Sequence, residues 1–434
     1  MACFVSGLLY NLVYMDSHSK KLTFVDLFAG AGGLSEGFIR AGFTPAAHVE
    51  YNEAACYTLK TRMAYHWLKE HGRISSYRKY LHGEITRKEL YDLVPRAQID
   101  SVINSEIGSE SLPEIFWRID QLIGKKKLDL IIGGPPCQAY SLVGRSRDKN
   151  KMKGDKRNFL YLYYTEFLKR YKPKYFVFEN VLGLLSAKSP EGILYLDSMR
   201  EEFNKAGYAT EYEVLHANEY GVPQGRKRII LVGRRGRRKG FYPEIETWLP
   251  NIKVQEVLSD LPVIRAGGGK IGPCNMKEYS GKYLYESGVR NDKLPVTMHI
   301  ARPHTKQDLE IYSIAQKKWN KSQERLNYND LPGRLKTHKN CSSFTDRFKV
   351  VAGDMSYSHT VVAHISKDGH YYIHPKQKRS LTPREAARLQ TFPDDFFFES
   401  VSEKTGRTAA YHQIGNAVPV LLAEKIAEKL MKNF

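Results

Sequence analysis

Residues 24–38, FVDLFAGAGGLSEGF, form a short apolar run, a glycine-rich turn and the start of an amphipathic segment. This order predicts a buried strand that leads through a tight turn into a helix. Similar apolar runs recur at 46–50, 128–132, 175–178 and 228–232, and helical patterns lie between them at 53–70, 161–171 and 194–206. Continuous apolar strands that alternate with helices predict an α/β fold, with a parallel sheet covered by helices on both faces.

The composition indicates a folded protein with an anionic partner. Its 434 residues exceed what one compact core normally holds, so we expect two lobes. The formal net charge is +20 and the pI is near 9.5, and no long apolar segment is present, which favours nucleic acid over a membrane as the partner. The five cysteines are widely spaced and lack a CxxC pair, so we expect a reducing interior without disulfides or structural zinc.

The character of the sequence changes after residue 233. A basic run, GRRGRRK, covers 233–239, and residues 241–378 show no sustained helical period, only short β runs at 349–351 and 359–364. These features predict a second, irregular, β-containing region. A helix is predicted over 381–392, because Thr382 can cap it, Pro383 suits its first turn and Glu385 completes a capping box. Another amphipathic helix is predicted over 421–432.

The first strand and its turn have the pattern of a nucleoside-binding site. Glycines at 30, 32 and 33 would let a ligand approach the backbone and the amides at the helix N-terminus. Glu50 ends the second predicted strand, 20 residues after Gly30, where doubly wound folds place an acid that binds a ribose. The pattern does not separate NAD from S-adenosylmethionine. The plainer alternative is a glycine-rich turn with a surface glutamate.

The stretch 133–141, GGPPCQAYS, places a cysteine just beyond another predicted strand. Open α/β sheets bind ligands at the carboxyl ends of their strands. Pro135 and Pro136 stiffen the chain where the Cys137 thiol is presented. A thiol needs a helix N-terminus or nearby cations to act as a thiolate near neutral pH. A lone cysteine is more often a small buried hydrophobe, but its position after two prolines favours a reactive role.

Two further segments bring polar groups to strand ends. Glu179, in ENV (179–181), closes a strongly apolar run, and its alternative role is that of a solvated strand-end acid. Arg226 and Arg228, in QGRKR (224–228), stand at alternate positions and would point the same way in an extended segment. The two arginines could form a fork that binds an anion or a base edge, or simply a basic edge.

Taken together, these segments resemble the cytosine-C5 DNA methyltransferase family. The resemblance rests on an ordered set of motifs: FVDLFAGAGGLSEGF, Glu50, GGPPCQAYS, DKRNFL (155–160), ENV, QGRKR, RSLTPREAARLQTFPDDF (379–396) and QIGNAVPV (413–420). It covers nearly all of 22–233 and 379–434. The compact layout is similar to that of the prokaryotic restriction-modification enzymes. The resemblance implies a Rossmann-like, S-adenosylmethionine-dependent sheet with a second, irregular target-recognition domain.

The resemblance also implies a mechanism and the residues that perform it. Cys137 would attack C6 of a flipped cytosine and make C5 nucleophilic. Glu179 would hold a proton at N3 and bind the exocyclic amine. Arg226 and Arg228 would clamp the base and support the site. S-adenosylmethionine would donate the methyl group, and no metal is implied.

Further site residues follow from the same resemblance. The implied cofactor-binding residues are Phe28, Gly30, Gly32, Glu50, Leu160, Asn416 and Val418. The family's adenine-binding Asp has no direct counterpart, and the candidates are Glu106 and Glu84, of which we favour Glu106 because it lies nearer the strand before Cys137. Residues 138–158 resemble a mobile lid. The implied DNA contacts are Ser141, Arg145, Arg147 and Gln224, and the alternative for the two arginines is solvated surface charge.

The expected domain organisation follows the motifs. Residues 1–21 form an N-terminal extension, 22–240 the catalytic domain, 241–407 the target-recognition domain, and 408–434 a segment that completes the catalytic domain. The helix near Thr382 should help to hold the recognition strands, and the basic excess should make DNA binding strongly salt-dependent. Histidines 359, 364, 370 and 374 do not have a zinc-ligand spacing.

The function we expect is DNA cytosine-5 methylation at a specific duplex sequence, protecting host DNA in a restriction-modification system. Methylation of cytosine in RNA and a non-catalytic DNA-binding role are the alternatives. An oxidoreductase is the weakest reading, because PPCQ and QGRKR would have no role in it. We further expect a cytoplasmic protein that acts as a monomer on double-stranded DNA, is not membrane-bound and has a cognate restriction endonuclease as its genetic partner.

Overall fold

The structure, a computed structural model, describes residues 21–136, 159–236, 239–403 and 406–434. The strands of its main sheet are β1 (Thr23–Leu27), β2 (Thr44–Glu50), β3 (Val102–Asn104), β4 (Leu130–Gly133), β5 (Tyr175–Asn180), β6 (Tyr208–His216) and β7 (Lys227–Arg235). Their order across the sheet is β3-β2-β1-β4-β5-β7-β6. The predicted α/β class is confirmed, and β3 and β6 are two strands that the apolar runs did not predict.

The sheet is mostly parallel, but not completely. Strands β1 to β5 are parallel to one another, whereas β7 runs antiparallel to both β5 and β6. The expectation of a parallel sheet is therefore wrong for the run at 228–232. The ten residues between β6 and β7, 217–226, are fewer than the crossover that a parallel connection needs, so these successive strands pair antiparallel over nine residues.

Helices cover both faces of the sheet, as predicted. The helices that precede the basic run are α1 (Gly33–Arg40), α2 (Glu53–Glu70), α3 (Ile74–His82), α4 (Arg87–Asp92), α5 (Arg96–Asp100), α6 (Leu112–Ile123), α7 (Leu160–Tyr171) and α8 (Tyr195–Lys205). One face packs against α6, α7 and α8 through a core that contains Val25, Ile131 and Phe176. The other face packs against α1 and the last helix of the chain.

Helices α3, α4 and α5 form an insertion between β2 and β3 and pack against α2. The insertion also holds the distant segment 395–403. The Arg87 guanidinium donates to the carbonyls of Ser400 and Val401, and the hydroxyl of Thr61 on α2 donates to Glu399 at 2.6 Å. This long insertion, which had no predicted role, thus braces the C-terminal part of the chain against the sheet.

After the sheet the chain is largely irregular. Its elements are α9 (Val254–Val257), β8 (Gly269–Lys270), α10 (Tyr283–Glu286), β9 (His299–Ile300), α11 (Lys306–Ser322), α12 (Pro383–Leu389), α13 (Arg407–Asn416) and α14 (Val420–Met431). The 17-residue helix α11 contradicts the prediction of no sustained helix in 241–378. The predicted β runs are also wrong: 349–351 makes an isolated bridge to Ile373, and 363–366 is a 3₁₀ turn.

Helix α12 is the buried centre of this region. Thr382 caps it and Glu385 completes the capping box, as predicted, although the helix ends at Leu389. Every residue of α12 is buried, including two arginines. Arg388 is paired with Asp260 and Asp394. Buried charges of this kind are tolerated only when they are paired, so α12 ties together segments that lie far apart in sequence.

None of the helices in the described ranges is long and apolar enough to cross a membrane.

Candidate active site

A cavity of about 190 Å³ opens at the carboxyl ends of β1 and β4. The strand order reverses between these two strands, and ligands of open α/β sheets bind at such a switch point. The lining comes from six parts of the chain: the turn after β1, the end of β2, Gly134 to Pro136 after β4, the end of β5, Arg228 on β7, and the end of α13. The structure therefore brings most of the predicted motifs to one place.

The turn after β1 has an unusual backbone. Phe28, Gly30 and Gly32 have φ values of 58°, 55° and 81°, all in the left-handed region that favours glycine. A Cβ at Gly32 would also come within 2.8 Å of the Leu59 side chain. Phe28 adopts this region without being a glycine, which is a strained arrangement that tends to occur at functional sites. All three predicted residues belong to this turn, and Phe28 and Gly30 line the cavity.

Glu50 links this turn to the end of β2. Its Oε2 accepts a hydrogen bond from the Gly30 amide and its Oε1 accepts one from the Asn52 amide, both at 2.8 Å. Burial raises the pKa of Glu50, and the backbone hydrogen bonds partly oppose that rise. The carboxylate is thus held rigidly at the cavity wall, where a ribose hydroxyl could reach it.

Asp26 is a buried acid at the cavity that the motifs did not single out. It lies in β1, is almost fully buried, and its Oδ2 has no hydrogen-bond partner among the described residues. Burial, and secondarily the nearby Glu50, raise the pKa of Asp26 well above its ordinary value. A cationic ligand at this end of the cavity would offset the cost of burying the charged form of Asp26.

A more open cavity of about 890 Å³ adjoins the first and shares Phe28, Glu50, Tyr51 and Pro136 with it. Two of the predicted cofactor residues, Glu106 and Leu160, line this second cavity. Glu84, the alternative acid, lies on the exposed turn after α3 and lines neither cavity. The geometry therefore favours Glu106 over Glu84.

The C-terminal segment folds back onto the first strand, as expected. Asn416 and Val418 both line the cavity. A Cβ at Gly33 would lie 2.4 Å from the Val418 carbonyl oxygen, and one at Gly37 would lie 2.4 Å from the Ala423 side chain. The two glycines of α1 therefore allow the close approach that brings Asn416 to the turn after β1.

On the opposite wall, Glu179 and Arg228 form an ion pair with 2.6 Å between Oε1 and Nε. A Cβ at Gly134 would come within 2.6 Å of the other carboxylate oxygen of Glu179. Glycine at 134 thus lets the loop that leads to residue 137 pass directly beside the carboxylate. Next to Glu179, the Asn180 amide donates to the Pro135 carbonyl at 3.4 Å, which helps to hold the two prolines in place.

Arg226 and Gln224 do not belong to this wall. The Arg226 guanidinium is buried and donates to the carbonyls of Val361 and Gly415. Gln224 is fully buried and bonds with Leu389, Gln390 and Val361. The base clamp at Arg226 and the DNA contact at Gln224 stay predictions, and in this structure both side chains hold the backbone of neighbouring segments. Strand β7 begins only at Lys227, so the strand alternation that places Arg228 does not extend to Arg226.

Four predicted residues, Cys137, Ser141, Arg145 and Arg147, lie outside the described residues, as does the predicted lid at 138–158. Sequence reasoning also missed several residues that line the cavity: Asp26, Tyr51, Asn52, Val181, His412 and Gln413. An acid within the apolar run FVDLF could have identified Asp26. His412 and Gln413 have no comparable sequence pattern, because they reach the cavity only through the packing of α13.

The four histidines of 359–374 have separate surroundings. The ring of His359 bonds with the Tyr371 carbonyl, and His370 bonds with the Tyr312 hydroxyl. His374 accepts hydrogen bonds from two backbone amides, and His364 packs its ring against Tyr371. Each is accounted for by packing and hydrogen bonding within this part of the structure.

Comparisons with known proteins agree with this geometry. The family profile described as C-5 cytosine-specific DNA methylase matches residues 22–84 and 111–432. The chain is similar to the type II methyltransferase M.Bpa9945I of Bacillus paralicheniformis, with 43% identity over 93% of this chain and 97% of the relative. It is also similar to the type II methyltransferase M.DdeI of Desulfomicrobium norvegicum, with 30% identity over 94% of this chain and 88% of the relative.

Solved structures show the same fold. A DNA modification methyltransferase encoded within an E. coli prophage superposes with a TM-score of 0.60 at 21% identity, covering 95% of this chain and 99% of that one. The Entamoeba histolytica methyltransferase EhMeth gives a TM-score of 0.53 at 16% identity, with coverage of 95% and 99%. The family profile matches most of the chain. The Bacillus paralicheniformis methyltransferase is 43% identical in sequence over 97% of its own length. The chain therefore belongs to the C-5 cytosine-specific DNA methylase family and is a DNA cytosine-5 methyltransferase.

Proposed function

We propose that this enzyme methylates C5 of a flipped cytosine in a specific duplex sequence, through a covalent bond between Cys137 and C6 of the base. The observation that carries the proposal is the Glu179–Arg228 ion pair beside Gly134, three residues before Cys137. It supplies a fixed carboxylate beside the loop 134–136, which leads to Cys137. Neither an RNA substrate nor a non-catalytic role is favoured by the family match.

The two adjoining cavities suit S-adenosylmethionine as the methyl donor. The left-handed turn at Phe28 and Gly30 lets a ligand lie against the backbone, and Glu50 is placed for a ribose. Asp26 offers an unpaired carboxylate oxygen near the end that would receive a cationic group. Glu106 and Leu160 would contact the adenine, and Asn416 and Val418 would close the other side. When bound, this cofactor supplies an electrophilic methyl group.

The residues of the chain make cytosine reactive. The Cys137 thiolate adds to C6, so that the Sγ–C6 bond forms and the ring π electrons shift toward N3. Glu179 holds a proton at N3, which neutralises the developing charge and leaves an enamine with a nucleophilic C5. Arg228 fixes the Glu179 carboxylate from the side. After methylation, a water molecule or hydroxide accepts the C5 proton, the Sγ–C6 bonding electrons leave with the sulfur, and Glu179 takes back the N3 proton, which restores the thiolate and the aromatic ring.

Double-stranded DNA is the proposed partner of the whole molecule. A cytosine can reach Cys137 only after leaving the base stack, which costs a few kcal/mol. We assign residues 22–240 to catalysis, 241–407 to target recognition and 408–434 to completion of the catalytic part, with Arg145 and Arg147 on the DNA backbone. The net charge of +20 favours binding to the phosphates and makes that binding salt-dependent.

The biological setting we propose is a restriction-modification system, in which methylation protects the host's own sites. Its relatives from Bacillus paralicheniformis and Desulfomicrobium norvegicum carry the name type II methyltransferase. The proposal includes a cytoplasmic monomer on DNA and a cognate endonuclease with the same recognition sequence.

The test is bisulfite sequencing of DNA from cells that express the wild-type chain or Cys137→Ala. We expect 5-methylcytosine at one sequence context with the wild type and none with the variant. Purified Cys137→Ala should still bind a duplex with that context. Wild-type turnover by the variant would disprove the covalent mechanism, and an absence of 5-methylcytosine with folded wild-type protein would disprove the proposed target.

A further inference from the structure

A separate cavity of about 590 Å³ lies in the irregular region, beyond the residues that line the active site. We call it the distal cavity. It is formed by the start of α11 and by the loops 335–348 and 362–372. Its lining residues are Thr305, Gln307, Asp308, Ile311, Tyr328, Leu335, Thr337, His338, Asn340, Phe344, Arg347, Phe348, Val362, His364, Asp368, His370, Tyr371 and Tyr372. The volume falls within the range of small-ligand sites.

The distal cavity is rich in planar side chains. Tyr328 and Phe348 stack on each other with ring centroids 6.2 Å apart and form a buried, rigid floor. The half-buried Tyr371 and the exposed Phe344 are the lining rings that a ligand could contact. Polar groups such as the Asp368 carboxylate lie among these rings. Aromatic faces with a few polar groups are what proteins use to hold a single nucleobase by stacking and edge hydrogen bonds.

One aromatic residue at the rim is held in an exposed position. The Phe344 side chain is 60% exposed, and its backbone has a left-handed φ of 55°. Arg347 fixes this loop, because its guanidinium donates to the carbonyls of Phe344 and Asn340 at 3.1 and 2.6 Å while it stacks over Tyr328. These hydrogen bonds hold the Phe344 ring at the cavity, where it is open to a ligand.

The distal cavity is close to the active site in the fold. Val362 lines it, and the preceding Val361 carbonyl accepts a hydrogen bond from Arg226, two residues before Arg228. Gly415 packs so tightly on this segment that a Cβ there would lie 2.3 Å from the Val362 carbonyl carbon. Its neighbour Asn416 lines the active-site cavity. The wall of the distal cavity at Val362 therefore packs directly on the segment that carries Asn416 to the active-site cavity.

The surroundings also suit a polyanion. Residues 301–378 contain fourteen Lys and Arg residues but only seven Asp and Glu residues. This range contains every residue that lines the distal cavity, and its basic excess favours binding of a polyanion.

We propose that the distal cavity receives one unstacked base of the bound DNA, at a position other than the target cytosine. The concave shape of the distal cavity is the reason for choosing an unstacked base. Reading the edges of stacked bases requires an element that protrudes into a groove, whereas a concave, ring-lined cavity requires a guest that protrudes from the DNA. An unstacked base is such a guest. This inference rests on the proposed duplex DNA substrate.

The test measures how single mismatches change binding. If a base must leave the stack, a mismatch at its pair removes part of the unpairing cost and tightens binding. Each duplex would contain the recognition sequence with one mismatched base pair, and the mismatch would be placed at a different pair in each duplex. The base on the strand under test would stay unchanged, and only its partner would be replaced. We expect the wild-type Kd to fall about tenfold at the target pair and also at one further pair, as measured by fluorescence anisotropy.

Two variants separate the distal cavity from the active site. Val362→Trp should fill the cavity, so that a mismatch at the further pair no longer lowers the Kd. A mismatch at the target pair should still lower it. Phe344→Leu should weaken the effect of the mismatch at the further pair by removing the aromatic face. Val263→Trp is the matched control, because Val263 is 69% exposed and lines neither cavity, and it should bind like the wild type.

The outcomes are distinct. The proposal is overturned if only the target pair tightens binding in the wild type, or if the further tightening persists in both variants. In the second case the unstacked base lies elsewhere. If a mismatch at the target pair does not lower the Kd of the wild type, and the wild type does not methylate DNA, the proposed function is wrong instead.

Discussion

The Glu179 carboxylate and the Arg228 guanidinium face each other across the antiparallel pair β5 and β7, 2.6 Å apart. In that pairing Glu179 lies opposite Ile230, so Arg228, two residues from Ile230, points to the same face of the sheet. A second nitrogen of Arg228 donates to the Lys227 carbonyl at 2.7 Å. The arginine is therefore fixed by its own backbone and holds the carboxylate at one angle to the cavity.

This arrangement predicts that Glu179→Gln keeps the fold but loses catalysis. The amide is similar in size to the carboxylate, but it cannot hold and release the proton at N3. Losing a positioned acid typically lowers turnover by about 10² to 10⁴-fold. Transfer of a labelled methyl group to DNA would measure the effect, with Glu201→Gln on the exposed face of α8 as the control. Turnover within threefold of the wild type would contradict the role of Glu179.

Substitution of the two arginines of QGRKR should affect different properties, the free energy of unfolding for Arg226 and the turnover for Arg228. Arg226→Met leaves the carbonyls of Val361 and Gly415 without their donor, at about 1–3 kcal/mol for each unpaired buried group. Arg228→Met removes the partner of Glu179 at the cavity wall instead.

Urea unfolding at pH 7.5 and methyl transfer should therefore give opposite patterns. The Arg226 variant should lose most of its stability, and the Arg228 variant most of its turnover. Full stability together with loss of turnover in the Arg226 variant would instead support the predicted base clamp.

The same pair shows what the sequence could predict. Strand alternation correctly placed Arg228 because the pleat repeats every two residues, but it could not reveal that β7 begins at Lys227. Helix α12 was predictable because its capping box is local. Helix α11 was missed because it buries only Ile311, Tyr312, Ala315 and Gln316, so its apolar stripe is short. The approach of α13 to the cavity depends on contacts between distant segments, which no local pattern encodes.

The choice between two acids predicts a difference in cofactor affinity. Glu106 lines the open cavity next to Glu50, whereas Glu84 lies on an exposed turn away from it. Loss of a hydrogen bond to a charged group costs about 1.5–3 kcal/mol. Glu106→Gln should thus raise the Kd for S-adenosylmethionine by roughly 10- to 100-fold.

Isothermal titration without DNA would measure this change, and Glu84→Gln is the matched control that should bind like the wild type. Equal weakening in both variants would mean that neither acid contacts the cofactor directly.

Acidification should destabilise the fold through His374. Its Nδ1 accepts hydrogen bonds from the amides of Lys376 and Gln377, both at 3.0 Å, and it is buried. Burial, together with nearby Arg379, lowers the pKa of His374 to about 4, although Glu385 opposes the shift. The unfolded chain binds a proton below about pH 6.5 that the folded chain refuses. The stabilising contribution is therefore complete above that pH and is lost as the pH falls toward 4.

At pH 5 this loss should reach about 2 kcal/mol relative to pH 7.5. His374→Asn removes the titrating ring while its side-chain oxygen can accept the same amides. We expect the free energy of unfolding of this variant to fall less between pH 7.5 and pH 5 than that of the wild type, by about that amount. His82→Asn, at the exposed end of α3, should keep the wild-type dependence. An unchanged pH dependence in His374→Asn would show that the ring is protonated within the folded protein, because only then does the unfolded chain gain no extra proton at this position.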